Sequence, residues 1–135
     1  MLDINYISII FTVFCLLILL NGSNFLDGLN TLVIGYYILV SVILILISAK
    51  FDLSLNDNIF YFLIFLIIIF LFNFSGKIFL GDSGSYLISF FTAFFVLDFI
   101  NTNTLVSPYF ICLLLWYPAF ENLFSILSNF IFLYK

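Results

Sequence analysis

Two polar stretches interrupt a chain that is otherwise almost wholly apolar: NGSNFLDGLN at 21–30 and KIFLGDSGSYL at 77–87. The first carries Asn24, Asp27 and Asn30 at intervals of three. The second carries Lys77 and Asp82, with Ser83 and Ser85 beside a pair of glycines. An aspartate at the centre of a membrane helix costs about 2.5–3.5 kcal/mol on insertion scales, so acids among such neighbours are candidates for function. Hard cations such as Mg²⁺ take carboxylate and water oxygens and share themselves with substrate phosphates. Glycines let backbone N–H groups approach phosphate oxygens, and a lysine adds a point charge. Asp27 and Asp82 with Asn24, Asn30 and Lys77 thus form a parts list for metal-assisted phosphoryl transfer at a membrane surface. Each motif also has a plainer reading. Asp82 could cap the helix that follows it. Asp27 could lie in a polar turn punctuated by Gly22 and Gly28. If a helix began in the first break, residues 24, 27 and 30 would share one of its faces.

The elements that must position these residues follow from composition. Of 135 residues, 66% are hydrophobic and 7% are charged. A water-soluble domain of this size leaves too much surface exposed to hide that much apolar area. A bilayer core about 30 Å thick is crossed by roughly 20 helical residues. Five segments approach this length, at about 4–20, 31–49, 59–72, 86–100 and 109–127, the last with Pro118 inside it. Backbone polar groups in lipid must be bonded within a segment, so these read as helices despite their β-branched and aromatic content. The expected fold is all-α: a polytopic transmembrane bundle of about five helices in one membrane domain. Two crossings separate the first polar break from the third, which places both Asp-bearing motifs at one membrane face. The breaks at 50–58 and 101–108 fall at the other face; the latter reads as a plain polar turn ending in proline.

The remaining charges say less. With three Lys, no Arg and a net charge of −4, there is no basic patch to bind nucleic acid. Lys77 lies on the motif face and Lys50 opposite; a full fifth crossing would add Lys135 to the motif face, a weak bias toward cytoplasmic motifs. Cys15 and Cys112 each sit in an apolar segment and read as buried packing residues, with no disulfide framework. The first segment lacks a basic leader and a cleavage site, against a cleaved signal peptide. Asp3, Asp52 and Asp57 read as solvated, and Asp98 as reaching an interface. Glu121, after WYPAF, reads either as interfacial or as a late contributor to the site. NGS at 21–23 and NFS at 73–75 match the glycosylation sequon, which would count only if the motif face were luminal.

NGSNFLDGLNTLV and GKIFLGDSGSYLISFFTAFF resemble two signatures of the polyprenyl-phosphate sugar-1-phosphate transferases. This family includes the undecaprenyl-phosphate N-acetylglucosamine-1-phosphate and phospho-N-acetylmuramoyl-pentapeptide transferases. WYPAFENLFSIL is similar to the helix before their last cytoplasmic loop. The resemblance implies a bacterial inner-membrane, multi-pass enzyme with its motif loops in the cytoplasm. It implies transfer of a sugar-1-phosphate from a UDP-sugar to undecaprenyl phosphate, for peptidoglycan, lipopolysaccharide or another envelope polymer, with Mg²⁺ or Mn²⁺. Asp82 would ligate the metal. Asp27 and Asn24 would belong to the nucleotide-sugar and metal site, with Asn30 and Lys77 as further substrate contacts.

The chain also departs from the family pattern. Asn30 stands where many members carry a second Asp, and Thr31 where Gly is common. The Asp-Asp pair of the family's early loop and its His-containing last loop have no counterpart in these residues, which include no histidine. The family fold has around ten or eleven helices. The expectation is therefore a partial version of that fold, a fragment with little activity alone. Competing expectations are a small non-catalytic polytopic subunit, compatible with a homo-oligomer, and a transporter using Asp27 and Asp82. Transport calls for acids near the bilayer midplane, whereas both lie at segment ends.

Overall fold

The computed structural model describes residues 6–27 and 31–133. Among them the chain is helical with short connections. The helices are α1 (Tyr6–Leu26), α2 (Leu32–Phe51), α3 (Asn58–Phe74), α4 (Gly81–Thr102), α5 (Pro108–Leu114) and α6 (Trp116–Leu133). Helices α1, α2 and α4 are each long and apolar enough to cross a membrane, while the pair α5–α6 is bent by 58° at a break, as in a broken span or a re-entrant loop. Helix α3, with 17 residues, covers about 25 Å at the α-helical rise, the short end of what a crossing needs. The polytopic helical bundle expected from composition is what the chain forms.

Packing divides the bundle in two. Helix α1 lies against α4 and α6, while α2 lies against α3 and α4. The shared core includes Val33, Tyr37 and Leu44 from α2, Leu66 from α3, and Ile88 and Phe99 from α4, all nearly inaccessible. The opposite faces are apolar and open: Tyr61, Ile64 and Leu71 on α3 are exposed. In water such surface would be a liability; in lipid it is the surface a helix presents.

Two helix boundaries beside the motifs differ from the sequence expectation. Helix α1 runs to Leu26 rather than stopping near Leu20, so Asn21 to Asn24 are helical. Ser23 turns its hydroxyl back to the Leu19 carbonyl at 2.7 Å, a local bond that lets a polar side chain sit in an apolar helix. Helix α4 starts at Gly81, five residues before the expected start at 86. Its serines bond backward in the same way, Ser85 to the Asp82 carbonyl at 3.0 Å and Ser89 to the Ser85 carbonyl at 2.7 Å. The small polar motif is thus the first turn of the helix, not the loop before it.

The fifth segment is broken at Leu115, where α5 and α6 meet at 58°. Pro118 explains the break. A proline has no N–H to give the carbonyl four residues back, and its ring crowds that carbonyl. That carbonyl belongs to Leu114, and the Tyr36 hydroxyl donates to it at 2.5 Å. A side chain from α2 thus supplies the bond that the α5–α6 backbone lacks. Beyond the break, Pro118 meets Gly22 and Asn122 donates to the Ile18 carbonyl at 3.5 Å. The register falls along α1 as α6 advances, so α6 runs antiparallel to α1 and away from the motif end. One straight fifth crossing is not formed, and the charge bias that counted Lys135 on the motif face loses its basis; Lys135 itself lies outside the described residues. A Cβ on Gly22 would stand 1.9 Å from the Pro118 carbonyl oxygen, so only glycine permits this approach.

The end remote from the motifs is locked by an amide. Asn103 is buried, and its Oδ1 accepts the Ser54 N–H at 3.0 Å while its Nδ2 donates to the Ser54 carbonyl at 2.8 Å. Asn56 donates to the Asp98 carboxylate at 3.2 Å. The break at 101–108 is therefore more than a plain turn, and Asp98 is engaged by the α2–α3 loop. Cys15 and Cys112, expected to be buried, are both exposed. They line an apolar cavity of about 260 Å³ with Leu19, Val96, Ile111 and Trp116, between α1, α4 and the bent pair.

Candidate active site

The two acidic motifs meet at one end of the bundle, where the last turn of α1 adjoins the first turn of α4. The contact is made by the motifs themselves. Ser85 donates to the Asn24 side-chain oxygen at 3.3 Å. The Gly81 backbone N–H lies near the Asp27 carboxylate and favours its charged form. Asp27 follows directly on α1, its own N–H bonded back to the Ser23 carbonyl at 3.2 Å. Helix α2 leads away from this end and α3 returns to it, the end of α3 meeting the start of α2 through the Asn73 bond to the Thr31 N–H.

The local geometry differs from both plain readings. The first motif ends a helix rather than beginning one: Asn24 is in the last turn of α1 and Asp27 just past it, so 24, 27 and 30 do not form a face of a new helix. Asn30 lies outside the described residues. Asp82 is not the cap of α4 either. The N-cap position is Leu80, without a side-chain cap bond, and Asp82 sits in the exposed first turn. An anion there is favoured by the helix dipole. Helix α4 consequently presents N–H groups at its start that no side chain caps, and Gly81 directs one of them at Asp27.

The charge at Asp27 is set by three neighbours. Partial burial pushes its carboxyl above the usual carboxylate range, the Gly81 N–H pulls it back, and the nearby Asp82 charge pushes it up again. Two carboxylates close enough to repel each other are a site that a cation would relieve. Among the described residues no three His, Cys, Asp or Glu side chains come together. Lys77 is exposed on the loop between α3 and α4. That loop starts from a closed helix end: the Gly76 N–H bonds the Asn73 carbonyl at 3.0 Å and the Lys77 N–H bonds the Phe72 carbonyl at 3.0 Å. This pairing needs a left-handed residue at its second position, and Gly76 supplies it at φ 67°. Glu121 lies within α6, partly buried, in the helix that leads away from the motif end.

Two features of the site are not apparent from the motifs. Beneath it, Ser23 of α1 shares a hydrogen bond with the Tyr37 hydroxyl of α2, and Ser89 of α4 lies near that hydroxyl. This hydroxyl cluster ties three helices together just inside the site. Beside it, Asn73 at the end of α3 is 4% exposed. Its Oδ1 accepts the Thr31 N–H at 2.7 Å and its Nδ2 donates to the Ile78 carbonyl at 2.8 Å. The sequon reading of NFS is thereby excluded, because the amide nitrogen a glycan would need is buried and engaged. The sequence signal was present: an amide set between Phe72 and Phe74 is an expensive residue that must find partners.

Comparison with known proteins adds to this geometry. A family model described as Glycosyl transferase family 4 matches residues 1–100. The match covers both motifs and ends within the last turn of α4. No curated protein matches the chain, and no solved structure does. The matched residues are those whose helices build the paired motifs, and the chain belongs to glycosyl transferase family 4, the membrane sugar-phosphate transferases.

Proposed function

We propose that this end of the bundle binds a divalent cation and the diphosphate of a nucleotide sugar. The chain belongs, on this reading, to an enzyme that passes a sugar-1-phosphate to a polyprenyl phosphate. The observation that carries the reading is the Ser85 hydrogen bond to the Asn24 side-chain oxygen at 3.3 Å, which joins the two acidic motifs at one end of the bundle. Asp82 would hold Mg²⁺, or Mn²⁺ in its place, with Asp27 and Asn24 beside it. With fewer than three acidic or imidazole ligands gathered among the described residues, coordination would be completed by water and phosphate oxygens, the habit of Mg²⁺. The bound cation would neutralise charge on the diphosphate.

The residues of this chain then have distinct tasks. The uncapped N–H groups at the start of α4 face developing negative charge on phosphate oxygens. Lys77, exposed on the loop before α4, and Asn30 supply further contacts to the donor. The polyprenyl phosphate oxygen attacks the sugar-bearing phosphorus of the UDP-sugar. A new P–O bond forms, the bond to UMP breaks, and UMP leaves with the electron pair. The motif face is cytoplasmic, where nucleotide sugars are held, and the membrane is the bacterial inner membrane. The product, a sugar on undecaprenyl diphosphate, would feed an envelope polysaccharide or peptidoglycan.

Catalytic groups that act as a unit lose most of their effect when one is removed. These 135 residues include six aspartates with no two adjacent, and no histidine. The chain alone is therefore expected to bind the cation and transfer little sugar phosphate. The test is Mn²⁺ binding followed by electron paramagnetic resonance in lipid nanodiscs, with radiolabelled UMP exchange in parallel. Saturable binding that is lost in Asp82→Asn, with exchange near background, is the expected result. Absence of saturable Mn²⁺ binding would sink the cation site, and robust exchange by the chain alone would sink the expectation of low activity.

A further inference from the structure

We propose that Asn73 is a positioning residue that sets the spacing of Asp27 and Asp82 by bonding the main chain beside each. The inference rests on the reading of those two aspartates as the cation and diphosphate site. Asn73 touches neither carboxylate. It reaches the backbone at Thr31, four residues after Asp27, and at Ile78, four residues before Asp82. Its own position is fixed because it belongs to the closed end of α3, its carbonyl accepting the Gly76 N–H. One helix end therefore holds both the start of α2, at Thr31, and the segment that leads into α4, at Ile78.

The chemistry calls for an amide. Thr31 offers an N–H, which needs an acceptor, and Ile78 offers a carbonyl, which needs a donor. Asparagine carries one of each on a short side chain; aspartate has only acceptors and leucine has neither. At 4% exposure, water has little access to substitute for either partner. The Thr31 end of the clamp also holds an unfavourable conformation. Thr31 stands at φ 68°, a left-handed region that a β-branched residue adopts only when its surroundings force it. A bond of 2.7 Å to its N–H is such a constraint.

A buried asparagine could also be a stability element with no bearing on the site, and the molecule contains the control for that. Asn103 is comparably buried, at 7% exposure. It bonds a loop residue in the same two-handed way, with Ser54 N–H on Oδ1 and the Ser54 carbonyl on Nδ2. It does so at the opposite end of the bundle. Loss of either amide removes a two-handed tie to a loop backbone, and Asn103 bonds the Ser54 hydroxyl and the Phe99 carbonyl besides, so the control loses at least as much; only Asn73 bonds the chain beside the motifs.

The experiment places nitroxide labels at Phe25→Cys and Phe79→Cys, both exposed positions next to the motifs. The background is the full chain in nanodiscs with Cys15→Ser and Cys112→Ser. The label-to-label distance is read by dipolar spectroscopy without any ligand. Asn73→Leu is expected to broaden or shift that distance, and Asn103→Leu to leave it in place. In the unlabelled chain, Asn73→Leu is expected to weaken Mn²⁺ binding about 10- to 100-fold, the range seen when outer-shell partners of metal ligands are removed. Asn103→Leu is expected to leave Mn²⁺ binding unchanged. If Asn73→Leu is not recovered folded, Asn73→Asp, which keeps the acceptor for Thr31, is read in the same way. An unmoved label distance in the Asn73 variant, or an equal change in the Asn103 variant, overturns the proposal. If the distance responds while the parent chain binds no Mn²⁺, the clamp stands and the cation reading falls.

Discussion

Gly22→Ala is a one-carbon change whose effect follows from a single contact. The new Cβ would stand 1.9 Å from the Pro118 carbonyl oxygen, 2.5 Å from its carbon and 3.0 Å from its Cα. All three are backbone atoms of a helix, so no side chain can swing aside. To reach an ordinary contact near 3.4 Å, α6 must retreat from α1 by about 1.5 Å, several times what packed helices absorb without losing contact elsewhere. The retreat also stretches the Asn122 bond to the Ile18 carbonyl, already 3.5 Å long. Overpacking of this kind costs about 1–3 kcal/mol, and backbone-to-backbone crowding belongs at the upper end of that range. The chain's single tryptophan, Trp116, lies two residues before Pro118 and lines the cavity between α1 and the bent pair, so its fluorescence reports the displacement directly. Thermal unfolding in detergent, followed by Trp116 emission, is expected to show a midpoint lowered by roughly 4 °C or more and a changed emission maximum before unfolding. An alanine variant with an unchanged midpoint and an unchanged Trp116 spectrum would refute the α1–α6 packing and with it the account of the broken fifth segment.

Asp27→Asn should flatten the pH dependence of stability. Burial, opposed by the Gly81 N–H and reinforced by the Asp82 charge, raises the Asp27 carboxyl in the folded state, so its ionised form is disfavoured by folding. Stability is then full below the ordinary carboxylate value of about 3.9 and falls as pH rises through the higher folded value. The asparagine variant lacks this fall, and identical midpoint-versus-pH curves for the two proteins would show that Asp27 is not held as described.

The distance between what the sequence makes legible and what it does not is clearest at the motifs. Asp27 and Asp82 stand out because a charge among apolar neighbours is costly wherever it occurs, and because counting crossings needs only segment lengths. The ends of α1 and α4 were misplaced because polar residues normally mark a loop. Here Ser23, Ser85 and Ser89 satisfy themselves on their own helices, so NGSN and GDSGS can be helical. The break at Leu115 was signalled by Pro118, but the sequence does not show that Tyr36 would supply the missing bond and let the two halves bend apart. Asn73 and Asn103 were the least legible. Each falls in a polar break; the apolar neighbours of Asn73 show only that it needs partners, and for both amides a partner lies more than 40 residues away. Cys15 and Cys112 were misread because apolar surroundings in a membrane chain include lipid as well as core.

The antiparallel pairing of α1 and α4 gives the two aspartates unequal settings. Asp82 lies in the first turn of α4, where the helix dipole favours an anion. Asp27 follows the last turn of α1, where the same dipole, reversed, opposes one. The carboxylate that the dipole does not favour is the one that the Gly81 N–H of the other motif favours. That neighbour offsets part of the penalty on Asp27, while the Ser85 bond to Asn24 fixes the start of α4 against the end of α1. Neither offsets the repulsion from Asp82, which only added positive charge removes. A divalent cation would remove it, and so would lower the carboxyl of Asp27 toward the ordinary range. Occupancy of the site and ionisation of Asp27 would then be linked, each favouring the other.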